Sequence, residues 1–292
     1  MSESNAAVGA DQPPLVVKIG GARAVDPAGV IEDVAHIAAA GRKVVVVHGG
    51  STAVDDTLEA MGKEPAYVET PAGVSGRFTD EETLDVFEMV LPGKLNTELV
   101  TDLRAAGVNA VGLSGVDGGL ITGPRKSAVR IVEDGKKKIR RGDHAGKPES
   151  VNAGLLTSLL ADGYVPTVSP PMLADDGTAA NADADRVAAL LAAGLGAELV
   201  LLTDVAGVYE NPDDPETLID TASTPAEFEA LEAAAEGFMS RKVHAAKEAL
   251  TGGAAGVVVS DATLRKPLLA ALEGHGTWIA AEAVTETGGE AQ

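Results

Sequence analysis

Cysteine is absent from this 292-residue chain. That excludes disulfides, thiolate metal sites and cysteine nucleophiles, and it fits a cytoplasmic location. No run comes near the roughly 18 consecutive apolar residues that a membrane-spanning helix needs. Residues 1–14 are polar and small, lack the apolar core of a secretory signal, and read as a disordered tail, as do residues 281–292. The five histidines do not cluster as metal ligands would, so no metal site is assigned. Two nucleotide-binding signatures are missing as well. There is no G-x-x-x-x-G-K followed by Ser or Thr, since Gly93-Lys94 follows Leu91-Pro92 inside a helical pattern, and no G-x-G-x-x-G follows a strand. Internal repeats are absent too. Basic residues are few, 23 against 44 acidic ones, which leaves a formal charge of −21. Such a surface repels nucleic acid and anionic membranes. It belongs either to an acidic, soluble mesophile enzyme or to a halophile's protein, and the charge favours the halophile. In molar salt the Debye length falls to about 3 Å and self-repulsion is screened.

What is present is a large core and a regular alternation. At 45% hydrophobic, the chain can bury a sizeable interior as one extended α/β domain or two lobes. Strand-like runs fall at Leu15–Ile19, Val44–His48, Ala110–Leu113, Val165–Ser169, Leu199–Thr203 and Gly256–Ser260. Helical spacing fills Pro27–Ala40, Glu81–Ala106, Glu149–Ala161, Asp183–Leu195, Arg241–Leu250 and Leu264–Leu272. The alternation predicts a mainly parallel sheet covered by helices. Asp26-Pro27 reads as a helix start, and Gly41, Gly107 and Gly163 sit where helix C-caps fall. One stretch breaks the pattern: Leu120–Thr122, Ala128–Glu133 and Lys137–Arg140 read as short antiparallel strands, with a turn at Glu133-Asp134-Gly135. Pro170-Pro171 and the loop at Asp175-Asp176-Gly177 suggest a lobe boundary, giving an N-lobe over 15–174 and a C-lobe over 175–280.

The chemistry concentrates at strand ends. Lys18 closes the first strand and is followed by Gly20-Gly21; the second strand ends in His48-Gly49-Gly50 and enters a helix at Ser51. Paired glycines at the C-terminal ends of such strands present backbone N–H groups to phosphate. Lys18 alone would read as a lysine snorkelling at a strand edge, and His48 reads best as a packed strand-end histidine. A second lysine, Lys242, opens a helix-like run after Gly237. Two fixed cations with glycine amides are the equipment of phosphoryl transfer, where positioning and charge neutralisation supply most of the catalysis. Asn181, Asp183 and Asp185 alternate at a helix start. One N-cap explains one of them, and an aspartate there can hold lysine ammonium groups. Ser75 to Asp80, with Arg77, precedes a long helix and can bind a carboxylate or be a solvated loop.

Taken together these elements resemble the amino-acid kinase superfamily and, within it, the N-acetylglutamate kinase branch. They run in that family's order from Leu15 to Ile279: Lys18-x-Gly20-Gly21, His48-Gly49-Gly50, Gly76-Arg77-Phe78-Thr79-Asp80, Asn181-x-Asp183-x-Asp185, Leu202 to Val208 and Met239-x-x-Lys242. The resemblance implies an open αβα sandwich, an N-lobe for the amino-acid substrate and a C-lobe for ATP with Mg²⁺. The reaction it implies moves the γ-phosphoryl group onto a side-chain carboxylate. Lys18 and Lys242 would stabilise that group, Asp185 would orient both lysines, and Gly20, Gly21, Gly49 and Gly50 would supply N–H groups. Arg77 and Asn181 would hold the substrate's α-carboxylate. Thr203, Asp204, Gly207 and Val208 would border the nucleotide. A homodimer is the family expectation.

Two departures point to a sister branch. The arginine stretch, Val74-Ser75-Gly76-Arg77-Phe78, is longer than usual, and eight of the 23 basic residues fall between Pro124 and Asp143. Those features, with Leu113 to Gly118, resemble the kinases that act on aminoadipate or glutamate attached to the small acidic carrier protein LysW. Arg125, Lys126, Lys136, Lys137, Lys138, Arg140 and Arg141 would dock that carrier. The alternatives are a solvated hairpin, or one that pairs with the acidic surface of a second subunit. In function, the alternatives are a kinase of free N-acetylglutamate and a non-catalytic sensor of the same fold.

Overall fold

Runs of β-branched residues become the strands and alanine-rich stretches the helices. The computed structural model of the chain describes residues 9–20, 27–71, 75–133 and 136–285. Its first elements are strand β1 (Leu15–Ile19), helix α1 (Ala28–Ala39), β2 (Val44–His48), α2 (Ser51–Ala60), β3 (Tyr67–Glu69) and β4 (Ser75–Arg77). A long helical stretch follows, made of α3 (Glu81–Glu88), a π-helical segment (Met89–Leu95) and α4 (Asn96–Ala105). Then come β5 (Ala110–Gly115), β6 (Ile121–Gly123), β7 (Ala128–Glu133), β8 (Lys136–Arg141), β9 (Ser150–Val151), α5 (Ala153–Ala161), β10 (Val165–Ala174) and β11 (Ala179–Ala180). The rest is α6 (Ala184–Leu195), β12 (Glu198–Thr203), β13 (Thr221–Ala222), α7 (Pro225–Ala234), α8 (Gly237–Thr251), β14 (Gly256–Asp261), α9 (Pro267–Leu272) and β15 (Thr277–Ala280). The predicted strands all appear, each within a few residues. Asp26, Gly21 and the turn residues Asp134-Gly135 lie outside the described residues.

The chain forms two compact units, one from the described parts of Met1–Ile19, Ala24–Val44 and Ala188–Gln292, the other from those of Gly20–Arg23 and Val45–Val187. The division falls inside α6, later than the predicted boundary. The first strand belongs with the C-terminal half because β1 pairs in parallel with β12, Leu15 opposite Glu198 and Lys18 opposite Leu201. In that unit β12 also pairs in parallel with β14, β14 runs antiparallel to β15, and β15 is parallel to β13. Strands β1 and β12 are buried almost throughout, as continuous apolar runs in parallel sheets are. Helices α8 and α9 pack on β12 and β14, and α1 packs on α9, where buried Asp33 accepts the N–H groups of Leu268 and Leu269. Residues 9–14, expected in a free tail, are tied in. Gly9 bridges Gly41, and the buried guanidinium of Arg42 holds the Pro13 carbonyl and Glu198. At the other end Ala281–Val284 forms a 3₁₀ turn with Ala283 buried.

The second unit is built on β10, which pairs in parallel with β2, β5 and β6 and antiparallel with β11; β9 runs antiparallel to β6. Pro170-Pro171, predicted to mark a lobe boundary, lies instead inside this buried strand. The ladder tolerates it because β10 changes partner there, pairing with β5 as far as Ser169 and with β6 from Leu173, so the missing N–H groups break no pairing. The predicted helix Glu81–Ala106 is present but widens to a π-turn around Pro92, which has no N–H to give. The helix predicted from Glu149 starts at Ala153, capped by Asn152, because Ser150–Val151 pairs with β6. The C-cap glycines Gly41, Gly107 and Gly163 have φ of 91°, 84° and 77°, the left-handed conformation that ends a helix.

Candidate active site

In the first unit the parallel register brings the C-terminal ends of β1, β12 and β14 to one edge. Lys18 stands opposite Leu201, and Thr203 opposite Asp261. Lys18 is buried, 6% exposed, on a strand with no other polar side chain. Gly20, next in the chain after β1, is grouped with the second unit. After β12, the Thr203 hydroxyl donates to Asp204 and its carbonyl accepts the N–H of Ala262. Asp204 is exposed. Gly207 and Val208 face inward instead: a Cβ on Gly207 would come within 2.5 Å of the Thr277 hydroxyl, and the Val208 N–H donates to that same hydroxyl at 2.8 Å. Their part is to anchor this loop on β15. Lys242 lies in the second turn of α8, since Gly237 to Arg241 already form its first turn; the helix begins earlier than its predicted start at Arg241.

In the second unit, β2 ends at His48 and α2 starts at Ser51, so Gly49-Gly50 form the turn between them. A Cβ on Gly50 would lie 2.4 Å from Leu95 Cδ1 and 2.5 Å from Leu91 Cδ2. This glycine therefore lets the π-helical segment close on the turn, and Leu91 joins Val54, Leu58 and Val86 in one apolar cluster. His48 is buried, and its hydrogen bonds define its tautomer. The Asn96 amide nitrogen can only donate, so Nε2 accepts from it at 3.1 Å; the Gly49 carbonyl can only accept, so Nδ1–H donates to it at 2.8 Å. Burial lowers the pKa of His48, against the opposing pull of the Gly49 carbonyl. His48 is thus a packed histidine whose ring also orients the Gly49 carbonyl.

Arg77 ends β4, directly opposite Tyr67 of β3. Its Nη1 donates to Asp55 Oδ1 at 2.5 Å, and its Nη2 to the Ser51 carbonyl, the Ser51 hydroxyl and the Tyr67 hydroxyl at 3.1, 2.8 and 2.8 Å. The solvated-loop reading of Arg77 is thereby set aside. Burial pushes the Tyr67 phenol up from its ordinary pKa, and its bond to Asp55 adds to this. Asn181 donates to the Thr79 hydroxyl at 2.8 Å, and its main chain bonds to His144 and Gly146. Asp143, buried and with its pKa raised by that burial, accepts the N–H groups of Thr79 and Ala145. Asp80 caps α3 through Thr83 and pairs with Lys63; burial pulls its carboxyl upward, but those bonds outweigh it and hold the pKa at about 2. Asp183 is the N-cap of α6, accepting from the N–H groups of Asp185 and Arg186. Asp185, 8% exposed, is therefore not needed as the cap.

The basic residues divide by strand alternation. In the β7–β8 hairpin, Val129 stands opposite Arg140, Arg130 opposite Ile139 and Ile131 opposite Lys138. One face carries buried Ile131, Lys136, Lys138 and Arg140, whose guanidinium lies 3.9 Å from the centre of the Phe78 ring, next to Arg77. The other carries Arg130, Lys137 and Arg141 around Ile139, which is 65% exposed. Lys126 lies just before this hairpin. Arg125 does not belong to this surface: it clasps Asp176 through Nε and Nη2 and reaches His144 through Nη1. Sequence reasoning passed over Asp55, Ser51 and Tyr67. Ser51 and Asp55, four residues apart, share one face of α2, but nothing in the sequence links that face to Arg77.

A model of the amino acid kinase family matches residues 13–261. A LysW-aminoadipate kinase of Deinococcus radiodurans is 46% identical over 265 residues, 90% of this chain and 90% of that protein. An acetylglutamate kinase of Methanopyrus kandleri is 43% identical over 268 residues, 90% of this chain and 98% of that protein. Among solved structures, the N-acetylglutamate synthase from Neisseria gonorrhoeae complexed with coenzyme A and N-acetyl-glutamate matches with a TM-score of 0.77 at 25% identity over 95% of this chain. The match spans 62% of the synthase chain. Carbamate kinase from Giardia lamblia bound to AMP-PNP shares the fold, with a TM-score of 0.66 at 17% identity over 93% of this chain and 99% of that chain. With the lysine, diglycine and aspartate elements in the family's order on a mostly parallel sheet, and a family match over most of its length, this chain belongs to the amino acid kinase family.

Proposed function

We propose that this protein phosphorylates the side-chain carboxylate of glutamate or 2-aminoadipate while that amino acid is attached to an acidic LysW-type carrier, in lysine or arginine biosynthesis. A carboxylate oxygen attacks the γ-phosphorus of ATP, the bond to the bridging oxygen breaks, and ADP leaves from an acyl phosphate. The nucleophile is already ionised, so no general base is needed. Lys18 and Lys242 neutralise the transferring group, with Asp185 as their orienting carboxylate, and the N–H groups of Gly20, Gly21, Gly49 and Gly50 complete the donor set. Ammonium and backbone N–H donors suit phosphate oxygens. Among the described residues no cluster of carboxylates or imidazoles suits a metal, so Mg²⁺ would enter with ATP. The first unit, with Thr203 and Asp204, takes the nucleotide. The second, with Arg77 and Asn181, takes the α-carboxylate. A cytoplasmic homodimer in a halophilic cell completes the reading.

The observation that carries it is the hairpin. On a protein of charge −21, three cations surround an exposed isoleucine on one face, and the other face stacks on the residue next to Arg77. Opposite charge steers an acidic carrier to that place. The test reverses Lys136, Lys137 and Lys138 to glutamate. KM for the carrier-linked acceptor should rise while activity on a small acceptor analogue holds; equal loss on both sinks the docking. A second reading, phosphorylation of free N-acetylglutamate, is favoured by the acetylglutamate kinase relative at 43% identity. The retention of Lys18, Asp185 and Lys242 speaks against a non-catalytic sensor.

A further inference from the structure

Arg77 is held by a closed ring of hydrogen bonds. It donates to Asp55 Oδ1 and to the Ser51 hydroxyl, and Tyr67 donates to Asp55 Oδ2 at 2.9 Å. The Ser51 hydroxyl lies 3.2 Å from the Tyr67 oxygen, which closes the ring with Ser51 as donor. The Tyr67 ring also lies 5.0 Å from the guanidinium carbon, and the Arg77 side chain is only 8% exposed. Nη2 is fully used by three oxygens. Nη1 keeps one N–H and Nε keeps its own, and each can donate singly to a ligand carboxylate oxygen.

The holders matter more than their number. Ser51 is the first residue of α2, immediately after Gly50, and Asp55 is one turn further along the same helix. Arg77 is therefore bolted to the helix turn that follows the diglycine. Gly50 is itself pinned, by Leu91 and Leu95, and the Gly49 carbonyl by His48. The anchor for the substrate's α-carboxylate and the N–H groups for its reacting carboxylate thus sit on one rigid piece of unit two.

We infer that Asp55, Tyr67 and Ser51 are positioning residues that fix the span between Arg77 and the Gly49-Gly50 turn, and that this span sets which acceptor chain length the enzyme prefers. The inference rests on the assignment of Arg77 to the α-carboxylate made above. Glutamate and 2-aminoadipate differ by one methylene, about 1.3 Å of extended chain. A misplacement of about 1 Å can cost on the order of a hundredfold in rate. A guanidinium free to swing by that much would serve both acceptors alike, and one held at four oxygens serves one better.

The test measures kcat/KM for carrier-linked glutamate and carrier-linked aminoadipate, with KM for ATP, in the native protein and in Asp55→Asn and Tyr67→Phe. Tyr67 is half exposed and its ring is kept, so the second variant remains informative if the first does not fold. The native protein should prefer one acceptor by roughly tenfold or more, the low end of what one methylene gives in a pocket. Each variant should move that ratio about three- to tenfold toward one, with KM for ATP unchanged. A merely structural role would lower both activities together and leave the ratio where it was, which would overturn the inference. A native protein that uses both acceptors equally would overturn it too. Turnover on neither linked acceptor would instead sink the proposed function on which it rests.

Discussion

At the scale of the residue, the assigned roles make separable demands. Lys242→Ala removes a cation from the transferring phosphoryl group and should lower kcat on the order of a hundredfold or more while sparing much of the affinity for ATP. Single-turnover rates and nucleotide titration check this, and an unchanged kcat refutes the role. Gly50→Ala would drive a methyl into Leu91 and Leu95. It should cost about 1–3 kcal/mol of unfolding free energy, as overpacking usually does, and misplace the turn besides. His48 gives a pH signature. Its folded pKa is lowered, so folding resists its protonation. Its contribution to stability is complete above the ordinary imidazole value near 6.5 and falls away between that value and the lower folded one, by at most about 1.4 kcal/mol per pH unit. Denaturant unfolding from pH 7.5 to 5 should therefore show a decline that is smaller in His48→Gln. Gly50 and Lys18 could be singled out from the sequence because paired glycines and a lone lysine at the ends of apolar strands are residue types that such strands seldom carry without a reason. Asp55 and Tyr67 could not, because their meaning depends on Arg77, 22 and 10 residues away and reached only through a small sheet.

The elements show what periodicity can and cannot say. Strands such as Val44–His48 were read correctly because a buried parallel strand has few other ways to look. Pro170-Pro171 misled, since nothing local says that β10 changes partner at that point. Alternation also sorts the hairpin, where a count of charges could not. Arg125 is committed to Asp176 and Arg140 to Phe78, while Arg130, absent from the docking set expected from sequence, joins Lys137 and Arg141 around Ile139. Reversing Arg130, Lys137 and Arg141 to glutamate should therefore raise KM for the carrier-linked acceptor more than reversing Lys136 and Lys138 does. The effect should shrink in molar salt, where charges are screened within about 3 Å. Ile139→Ser should show the opposite dependence, with its cost persisting at high salt. Steady-state kinetics across a salt series separates the two, and equal effects from both faces would contradict the assignment.

For the whole molecule, the charge of −21 is the dominant fact. If the acidic shell is an adaptation to brine, the thermal midpoint should climb as KCl rises from 0.1 to 2 M through relief of self-repulsion. A midpoint that stays level or falls returns the protein to the mesophile reading. The central claim concerns chemistry on a carried carboxylate, and trapping the acyl phosphate with hydroxylamine tests it most directly. ATP, Mg²⁺ and molar KCl would be supplied with free N-acetylglutamate or with glutamate or aminoadipate linked to the carrier. Hydroxamate formed only from the linked acceptors is the predicted result. Strong hydroxamate formation from free N-acetylglutamate would contradict it and leave the basic hairpin to a role in assembly.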